Sequence, residues 1–212
     1  MRHIDKRLEP PELEQWRTSG TEDWQPSYED LRGDLKRMLH AARVAEQGWV
    51  CCYCERRITD DRGVSHIEHL RPQRPHGVGD ATPADALDYR NLLCSCNTNG
   101  VHCGARKGNK VLAIDPGMPD CTSHFVFHSN GAMEPCGEST SCEKARDTIA
   151  VLGLDTLALR MRRREAWGAL IEQIAREGVD TASLPGRLLA WDGEGRHLPH
   201  AAALSSIVRA VL

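Results

Sequence analysis

The chain has 212 residues, of which 40% are hydrophobic, and a formal net charge of −3 at pH 7. This length can bury a core of ordinary size, and we expect one compact unit. The low charge excludes a basic nucleic-acid coat, so any contact with nucleic acid must come from local basic patches. No apolar run approaches the ~18 residues of a membrane span. Nine cysteines without an apolar leader favour a reducing, cytoplasmic location.

Residues 1–48 are predicted to form a helical arm. A short helix is expected over residues 12–16. A longer helix is expected from Ser27, because Ser27 and Asp30 have the spacing of a capping box and apolar residues recur at helical intervals as far as Ala45. This second helix is expected to pack and to deliver the chain to the first cysteine pair, without a catalytic role.

Residues 49–115 are predicted to form the functional core, which contains two cysteine pairs. Cys51 and Cys54 form a C-x-x-C motif, and Cys96 and Cys103 form a second, wider pair. Four thiolates at this spacing suit a tetrahedral structural zinc ion, since each turn presents two sulfurs to one ion. The choice of fourth ligand stays open, because other candidates are present: Cys52, Cys94, Cys121, Cys136, Cys142 and His102.

Between the two cysteine pairs, residues 64–70 alternate as in a strand and include Glu68 followed by His69. Hydrolysis of a phosphodiester needs a base that activates water, a cation that offsets charge, and a group that holds the base in its productive tautomer. His69, a hard cation on Glu68, and Asn91 could supply these in turn. Carboxylate and amide oxygens suit Mg²⁺ or Mn²⁺.

The rest of this core is expected to complete a strand, strand, helix unit that is too small to fold without a metal. Residues 73–87 form a predicted loop that could face a substrate. A short helix is expected over residues 104–111, with Arg106, Lys107 and Lys110 on its surface.

Residues 116–212 are predicted to form a hairpin and a C-terminal helical region. Asn130-Gly131 lies within an apolar run and predicts a tight hairpin. Helices are expected from Cys142 onwards, with a break at Gly153, and an apolar helix over residues 201–212 could pack inward or meet a partner. One basic cluster is expected to be a solvated face or, less often, a phosphate contact: Arg160, Arg162, Arg163 and Arg164.

The stretch from Cys51 to Asn109 resembles the HNH endonucleases, the ββα-metal finger family. The whole chain is similar to the HNH subunit of Septu-type and retron-associated anti-phage defence systems, the PtuB type, over roughly residues 1–175. This resemblance implies an α+β fold in which a zinc-stapled ββα-metal finger is embedded in a mainly helical scaffold. The segments that match are 46–54, 67–73, 88–93 and 102–109.

By position in these motifs, the resemblance implies three catalytic roles. His69 corresponds to the general base, Glu68 to a ligand of the catalytic cation, and Asn91 to the residue that orients the loop around the base. Arg71, Arg106 and Lys107 are candidate phosphate contacts, although surface solvation explains them equally well.

The second ligand of the catalytic cation departs from the family pattern. Many members have a His or Asn directly after the last zinc cysteine, whereas this chain has Gly104. Asn109 is the first candidate for the missing ligand and His102 is the second.

The resemblance also implies a partner, an SMC/ABC-like ATPase of the PtuA type. The leading hypothesis is therefore a metal-dependent nuclease that cuts DNA as one subunit of a defence complex. Two alternatives stay open. The absence of a ligand side chain at Gly104 is compatible with a non-catalytic, zinc-stapled module that binds nucleic acid or a partner. The same chemistry could also act on RNA, because nothing in the motif reads the sugar.

Overall fold

A computed structural model describes residues 1–73, 83–137 and 140–211 and gives an α+β protein with two small sheets. The helices are α1 Pro11–Arg17, α2 Gly33–Glu46, α3 Gly104–Lys107, α4 Thr140–Leu152, α5 Leu157–Glu177, α6 Leu184–Leu189 and α7 Ala201–Val211. The strands are β1 Ser65–His69, β2 Leu92–Cys96, β3 Phe125–Phe127 and β4 Met133–Pro135. Short 3₁₀ turns cover Pro83–Ala86, Tyr89–Asn91 and Cys121–His124. Most of the predicted 73–87 loop lies outside the described residues.

The N-terminal arm contains both expected helices, but α2 begins later than the sequence predicted. The Ser27 hydroxyl donates to Asp30 Oδ2 at 2.6 Å, so this pair closes a turn of its own. Arg32 is then extended, with φ −134° and ψ 175°, and the helix begins only at Gly33. The prediction of a helix starting at Ser27 is therefore wrong, because a capping-box spacing also fits a simple turn.

Strands β1 and β2 form an antiparallel pair that brings distant parts of the core together. Ser65 lies opposite Cys96 and His69 lies opposite Leu92. Helix α2 packs against this sheet, and α3 follows β2 after a short loop. The predicted strand over 64–70 is confirmed, and the predicted helix over 104–111 is shortened to one turn that ends at Gly108, where φ is +55°.

The C-x-x-C motif lies at the tip of a small hairpin. Val50 and Arg57 form an isolated antiparallel bridge, and the Cys51 amide donates to the Arg56 carbonyl at 2.9 Å. Strands β3 and β4 form the hairpin predicted at Asn130-Gly131, and Gly131 in its turn has φ +84°.

The C-terminal helices close over the core. Helix α7 is buried along most of its length and packs against α5, α6 and β3, so the inward-packing alternative holds. Arg163 corrects the expectation for the basic cluster: its side chain is buried and donates to the carbonyls of Gly131 and Leu154 at 2.7 and 2.9 Å.

One large apolar cluster contains residues from all three predicted segments, for example Val44, Leu93 and Ile207. The division into residues 1–48, 49–115 and 116–212 stays a prediction. Within the described part of the chain, none of the helices has the length and apolar character needed to cross a membrane.

Candidate active site

The four cysteines named from the sequence lie together in the interior. The Sγ atoms of Cys51, Cys54, Cys96 and Cys103 are within 4.8 Å of one another, and all four side chains are buried. The Cys54 and Cys96 sulfurs are 3.7 Å apart. Zinc–sulfur bonds of about 2.3 Å in a tetrahedron place the sulfurs about 3.8 Å apart. The donor set therefore fits a structural zinc ion.

Burial and the neighbouring thiols shift the pKa values within this cysteine cluster in different directions. Burial raises the pKa of the Cys54 and Cys103 thiols. At Cys51, burial acts in the same direction, but hydrogen bonds from the neighbouring thiols outweigh it and lower the pKa. A divalent cation would favour the thiolate at all four positions.

A polar depression of about 360 Å³ borders β1 and α3. Glu68 and His69, the pair predicted from the sequence, both line this depression. They do so although the side chains of adjacent strand residues point to opposite faces of a sheet. Its lining residues are Ile67, Glu68, His69, Pro72, Gln73, Gly104, Gly108 and Asn109.

The Glu68 carboxylate is held in one orientation by three neighbours. Its Oε1 accepts hydrogen bonds from the Tyr53 hydroxyl and the Lys107 ammonium, each at 3.0 Å. Its Oε2 lies 3.3 Å from His66 Nε2. Burial opposes ionisation, but His66 and Lys107 outweigh it and lower the pKa of Glu68, so the group is a carboxylate at neutral pH.

His66 has a defined ring orientation. Its Nδ1 lies 2.7 Å from Asn97 Oδ1, and the Asn97 amide nitrogen donates to the Arg62 carbonyl at 2.7 Å. The Asn97 oxygen must therefore accept from Nδ1–H, which leaves Nε2 facing Glu68. Burial lowers the pKa of His66, but the bonds to Glu68 and Asn97 outweigh it and the net shift is upward.

Lys107 is a correction to the sequence analysis. It was expected on the surface as a phosphate contact, but its side chain is buried and donates to the His69 carbonyl at 2.7 Å. Its buried position follows from its ion pair with Glu68, which offsets the charge of that carboxylate.

The two predicted arginine contacts lie nearer the surface. Arg106 is exposed and donates to the Ala150 carbonyl at 3.3 Å. Arg71 pairs with Asp85 and Asp88, at 2.5 and 3.3 Å. A phosphate would have to compete with these two carboxylates for the Arg71 guanidinium.

His69 is buried at the end of β1 and its ring is fixed at both nitrogens. Nε2 lies 3.1 Å from the Ala86 carbonyl, and Nδ1 lies 3.0 Å from the Gln73 side-chain amide nitrogen. A carbonyl only accepts, so Nε2 carries the proton and Nδ1 carries the lone pair. Burial lowers the pKa of His69 to about 4, which keeps the ring neutral.

Asn91 is buried and ties together the two ends of the segment that joins β1 to β2. Its Oδ1 accepts from the Arg71 amide at 2.7 Å, and its Nδ2 donates to the carbonyls of Arg71 and Asp85 at 3.1 and 2.8 Å. The Asp85 carbonyl is next along the chain to the Ala86 carbonyl that holds His69. Asn91 therefore fixes the backbone that positions the His69 ring.

The two candidates for a second cation ligand lie in different surroundings. Asn109 is exposed and lines the depression. His102 is buried, and its Nδ1 lies 3.1 Å from Cys103 Sγ, against the cysteine cluster. Gly104 leaves a space between the side chains of β1 and α3, since a Cβ built there would lie 2.3 Å from Glu68 Oε2 and 2.9 Å from His66 Nε2.

Sequence reasoning missed four side chains of this site: Tyr53, His66, Gln73 and Asn97. His66 could have been found, because residues two apart in a strand share a face and His66 precedes Glu68 by two. The contacts of Tyr53 and Asn97 depend on how the hairpin and loops fold back, for which the sequence has no periodic signal.

Fold and site together define an α+β protein in which a buried cluster of four cysteines, able to hold a metal ion, adjoins a depression with a carboxylate and a histidine. No protein-family model matches the chain. The chain is 31% identical over 150 residues to a Vibrio cholerae serotype O1 biovar El Tor protein described as "Retron Vc95 putative HNH endonuclease". The match covers 68% of this chain and 70% of that relative. The chain therefore belongs to the HNH endonuclease family.

Proposed function

We propose that this chain is a metal-dependent endonuclease that hydrolyses phosphodiester bonds of DNA, with His69 as the general base. Family membership supports a nuclease. The observation that carries the proposal is that Glu68 and His69 line the same depression while separate partners fix each side chain. A cation ligand and a base that act on one phosphate need this combination of proximity and independent positioning.

The tautomer of His69 fits its proposed role. Nε2–H is held by the Ala86 carbonyl, so the lone pair on Nδ1 is the position that would take a proton from water. The low pKa keeps this lone pair available throughout the physiological range. The Gln73 amide, which now donates to Nδ1, would give way to the attacking water.

Glu68 is the proposed protein ligand of the catalytic Mg²⁺ or Mn²⁺. It is ionised, and Tyr53 and Lys107 occupy Oε1, so Oε2 is the oxygen best placed to bind. A divalent cation bound there would stabilise charge on the phosphate and on the leaving oxygen. Asn91 is proposed as a positioning residue, which acts by holding the segment that carries the Ala86 carbonyl.

The direct test is His69→Ala in a cleavage assay with Mg²⁺ or Mn²⁺. We expect the rate to fall by about 10²–10⁴-fold, the usual contribution of a general base. Zinc content and circular dichroism should be unchanged, and His128→Ala on the β3–β4 hairpin is the matched control. Cleavage by His69→Ala at the wild-type rate would contradict the proposal. DNA and structured RNA of the same sequence, tested side by side, identify the preferred sugar.

A non-catalytic binding module is the second candidate function, and Gly104 is the observation that favours it, because the ligand side chain of the family is missing there. The two functions differ in one measurement. A wild-type protein that binds nucleic acid but cleaves neither DNA nor RNA with any divalent cation would be the binding module.

We also propose that the chain acts in the cytoplasm with an SMC/ABC-like ATPase, as a subunit of an anti-phage defence complex. The name of the Vibrio cholerae relative associates that protein with a retron. The resemblance of the sequence to PtuB-type HNH subunits supports an ATPase partner. All nine cysteines lie in the described residues and are unpaired, in keeping with a reducing compartment. Co-expression with such an ATPase, followed by size-exclusion chromatography, should give one co-eluting complex, and two separate species would count against the partner.

A further inference from the structure

We infer that His66 is the second protein ligand of the cation site at Glu68, in place of a side chain at position 104. This inference deepens the proposed function, since it concerns the same cation. It rests on the positions of His66 Nε2 and Glu68 Oε2 and on the absence of a Cβ at Gly104.

The first observation is the convergence of His66 and Glu68 on one small space. They lie on the same face of β1, and Nε2 and Oε2 are 3.3 Å apart. A Cβ at position 104 would lie within 3 Å of both atoms, so the absence of a side chain there leaves the space open. A His or Asn at this position, as in other members of the family, would displace one of the two groups.

The second observation is that His66 Nε2 and Glu68 Oε2 are the atoms of the two side chains that face this space. Asn97 Oδ1 accepts a hydrogen bond from Nδ1–H of His66, and Tyr53 and Lys107 donate to Oε1 of Glu68. An imidazole nitrogen and a carboxylate oxygen are both metal ligands, so a cation in this space could bind both side chains.

The third observation is the hydrogen bond that Nδ1 of His66 makes with Asn97. A histidine that binds a metal donates its other N–H to a carbonyl or carboxylate, and this contact fixes the tautomer. The Asn97 oxygen makes this contact here, and Asn97 is fixed in turn by the Arg62 carbonyl. The His66 side chain is 34% exposed, so an ion can reach it from solvent.

An imidazole ligand also bears on the choice of cation. Magnesium prefers oxygen ligands only, whereas imidazole nitrogen favours first-row transition metals. We therefore expect the site to bind Mn²⁺ more tightly than Mg²⁺.

The experiment measures Mn²⁺ binding to the zinc-loaded protein by calorimetry and by pulsed electron paramagnetic resonance, which detects nitrogen bound to manganese. The wild-type protein should show an imidazole nitrogen signal. His66→Ala should remove this signal and weaken Mn²⁺ binding by about tenfold or more, with zinc content unchanged. His66→Gln, which keeps a polar side chain of similar length, should lose the same signal and covers the case in which the alanine variant folds poorly.

Matched variants separate this assignment from its competitors. His128→Ala removes a surface histidine whose Nε2 lies 3.2 Å from Glu134, a pair of the same kind, and should change neither readout. Asn97→Ala should keep the nitrogen signal and weaken binding less than His66→Ala. A nitrogen signal that survives in both His66 variants but is lost in His102→Ala would overturn the inference. So would Mn²⁺ affinity that falls in Asn109→Ala and not in the His66 variants.

A cleavage assay on the same samples separates the inference from the proposed function. If His66→Ala loses Mn²⁺ and the wild-type protein cleaves no nucleic acid, the ligand assignment holds and the nuclease proposal fails. If the wild-type protein cleaves and His66→Ala binds Mn²⁺ normally, the nuclease proposal holds and the ligand assignment fails.

Discussion

The cysteine cluster and the depression are neighbours on one small frame, yet they are built in opposite ways. Cys103 precedes α3 and Gly104 begins it, and the Ser95 hydroxyl lies 3.8 Å from Cys51 Sγ and accepts from the Gly104 amide at 3.0 Å. The cluster is closed, with four identical donors. The depression is open and its donors differ. Closed sites with four protein donors are typical of structural metal ions, whereas open sites leave a position for water or substrate.

Loss of the zinc ion should have the largest effect, because the cluster fastens the frame on which the depression is built. Structural zinc contributes about 10–16 kcal/mol in small zinc domains, which matches or exceeds the whole stability of most domains. We expect Cys103→Ser to lose zinc and to lower the melting temperature sharply. Metal analysis and thermal unfolding by circular dichroism measure both.

The control is Cys136→Ser, since Cys136 is exposed and lies outside the cluster. It should melt as the wild type does. If Cys103→Ser kept a normal melting temperature, the cluster would not stabilise the fold as a structural metal site does.

Lys107→Met should have the next largest effect, and it acts on the depression alone. The change leaves the Glu68 carboxylate buried without its ion-pair partner. Breaking a buried pair in this way costs about 3–5 kcal/mol. Chemical denaturation should report this loss while zinc content stays normal. Lys110→Met, three residues further along and exposed, should change stability little, and an equal loss there would argue against the ion pair.

The cluster could be predicted from the sequence because its information is local. The C-x-x-C spacing and one further pair indicated the four cysteines that cluster, although the sequence left the fourth ligand open among the other cysteines and His102. The β1 strand and the Asn-Gly hairpin were predictable for the same reason. Each depends on a short pattern that neighbouring residues complete by themselves.

The depression was less predictable because its contacts join distant segments. Lys107 was expected on the surface, because nothing in the local sequence indicates that a lysine after an arginine in a short helix is buried. Its burial becomes clear only from its ion pair with Glu68. The late start of α2 has a related cause, because the Ser27–Asp30 spacing serves a turn and a helix cap equally well. Sequence patterns do not specify which tertiary partner a polar side chain meets.

Gly104→Ala tests both regions at a single residue, because position 104 joins them. The new Cβ would lie 2.3 Å from Oε2 of the Glu68 carboxylate, whose Oε1 accepts hydrogen bonds from Tyr53 and Lys107. Overpacking of this kind costs about 1–3 kcal/mol, and we expect Mn²⁺ binding to be lost while zinc is retained. Differential scanning fluorimetry and calorimetry measure the two effects.

The matched control for that change is Gly168→Ala, also within a helix. A Cβ at Gly168 meets nothing within 4 Å, so alanine should stabilise α5 by about 0.5–1 kcal/mol. Opposite signs at the two glycines are the expected result. Destabilisation at both, with Mn²⁺ binding retained in Gly104→Ala, would mean that the space beside Glu68 is not a binding space.

The most gradual expected effect is a dependence of stability on pH that the depression shares with another buried histidine. Burial lowers the pKa of His69 and of His197 to about 4, from 6.5. Between these values the unfolded chain binds protons that the folded protein does not. Stability is therefore fully present above about pH 6.5 and falls as the pH drops towards 4, by at most about 1.4 kcal/mol per pH unit for His69.

Denaturant unfolding from pH 7 to 5 tests this in His69→Gln and in His197→Gln, since His197 packs against Trp191 and does not line the depression. Each variant should show a shallower loss of stability towards acid than the wild type. Acid also releases zinc when thiolates take up protons, so the comparison is restricted to the pH range in which zinc content stays constant. If the unfolding free energy of His69→Gln depended on pH as steeply as that of the wild type within that range, His69 would be charged in the folded protein. That result would contradict the assignment of His69 as a neutral base.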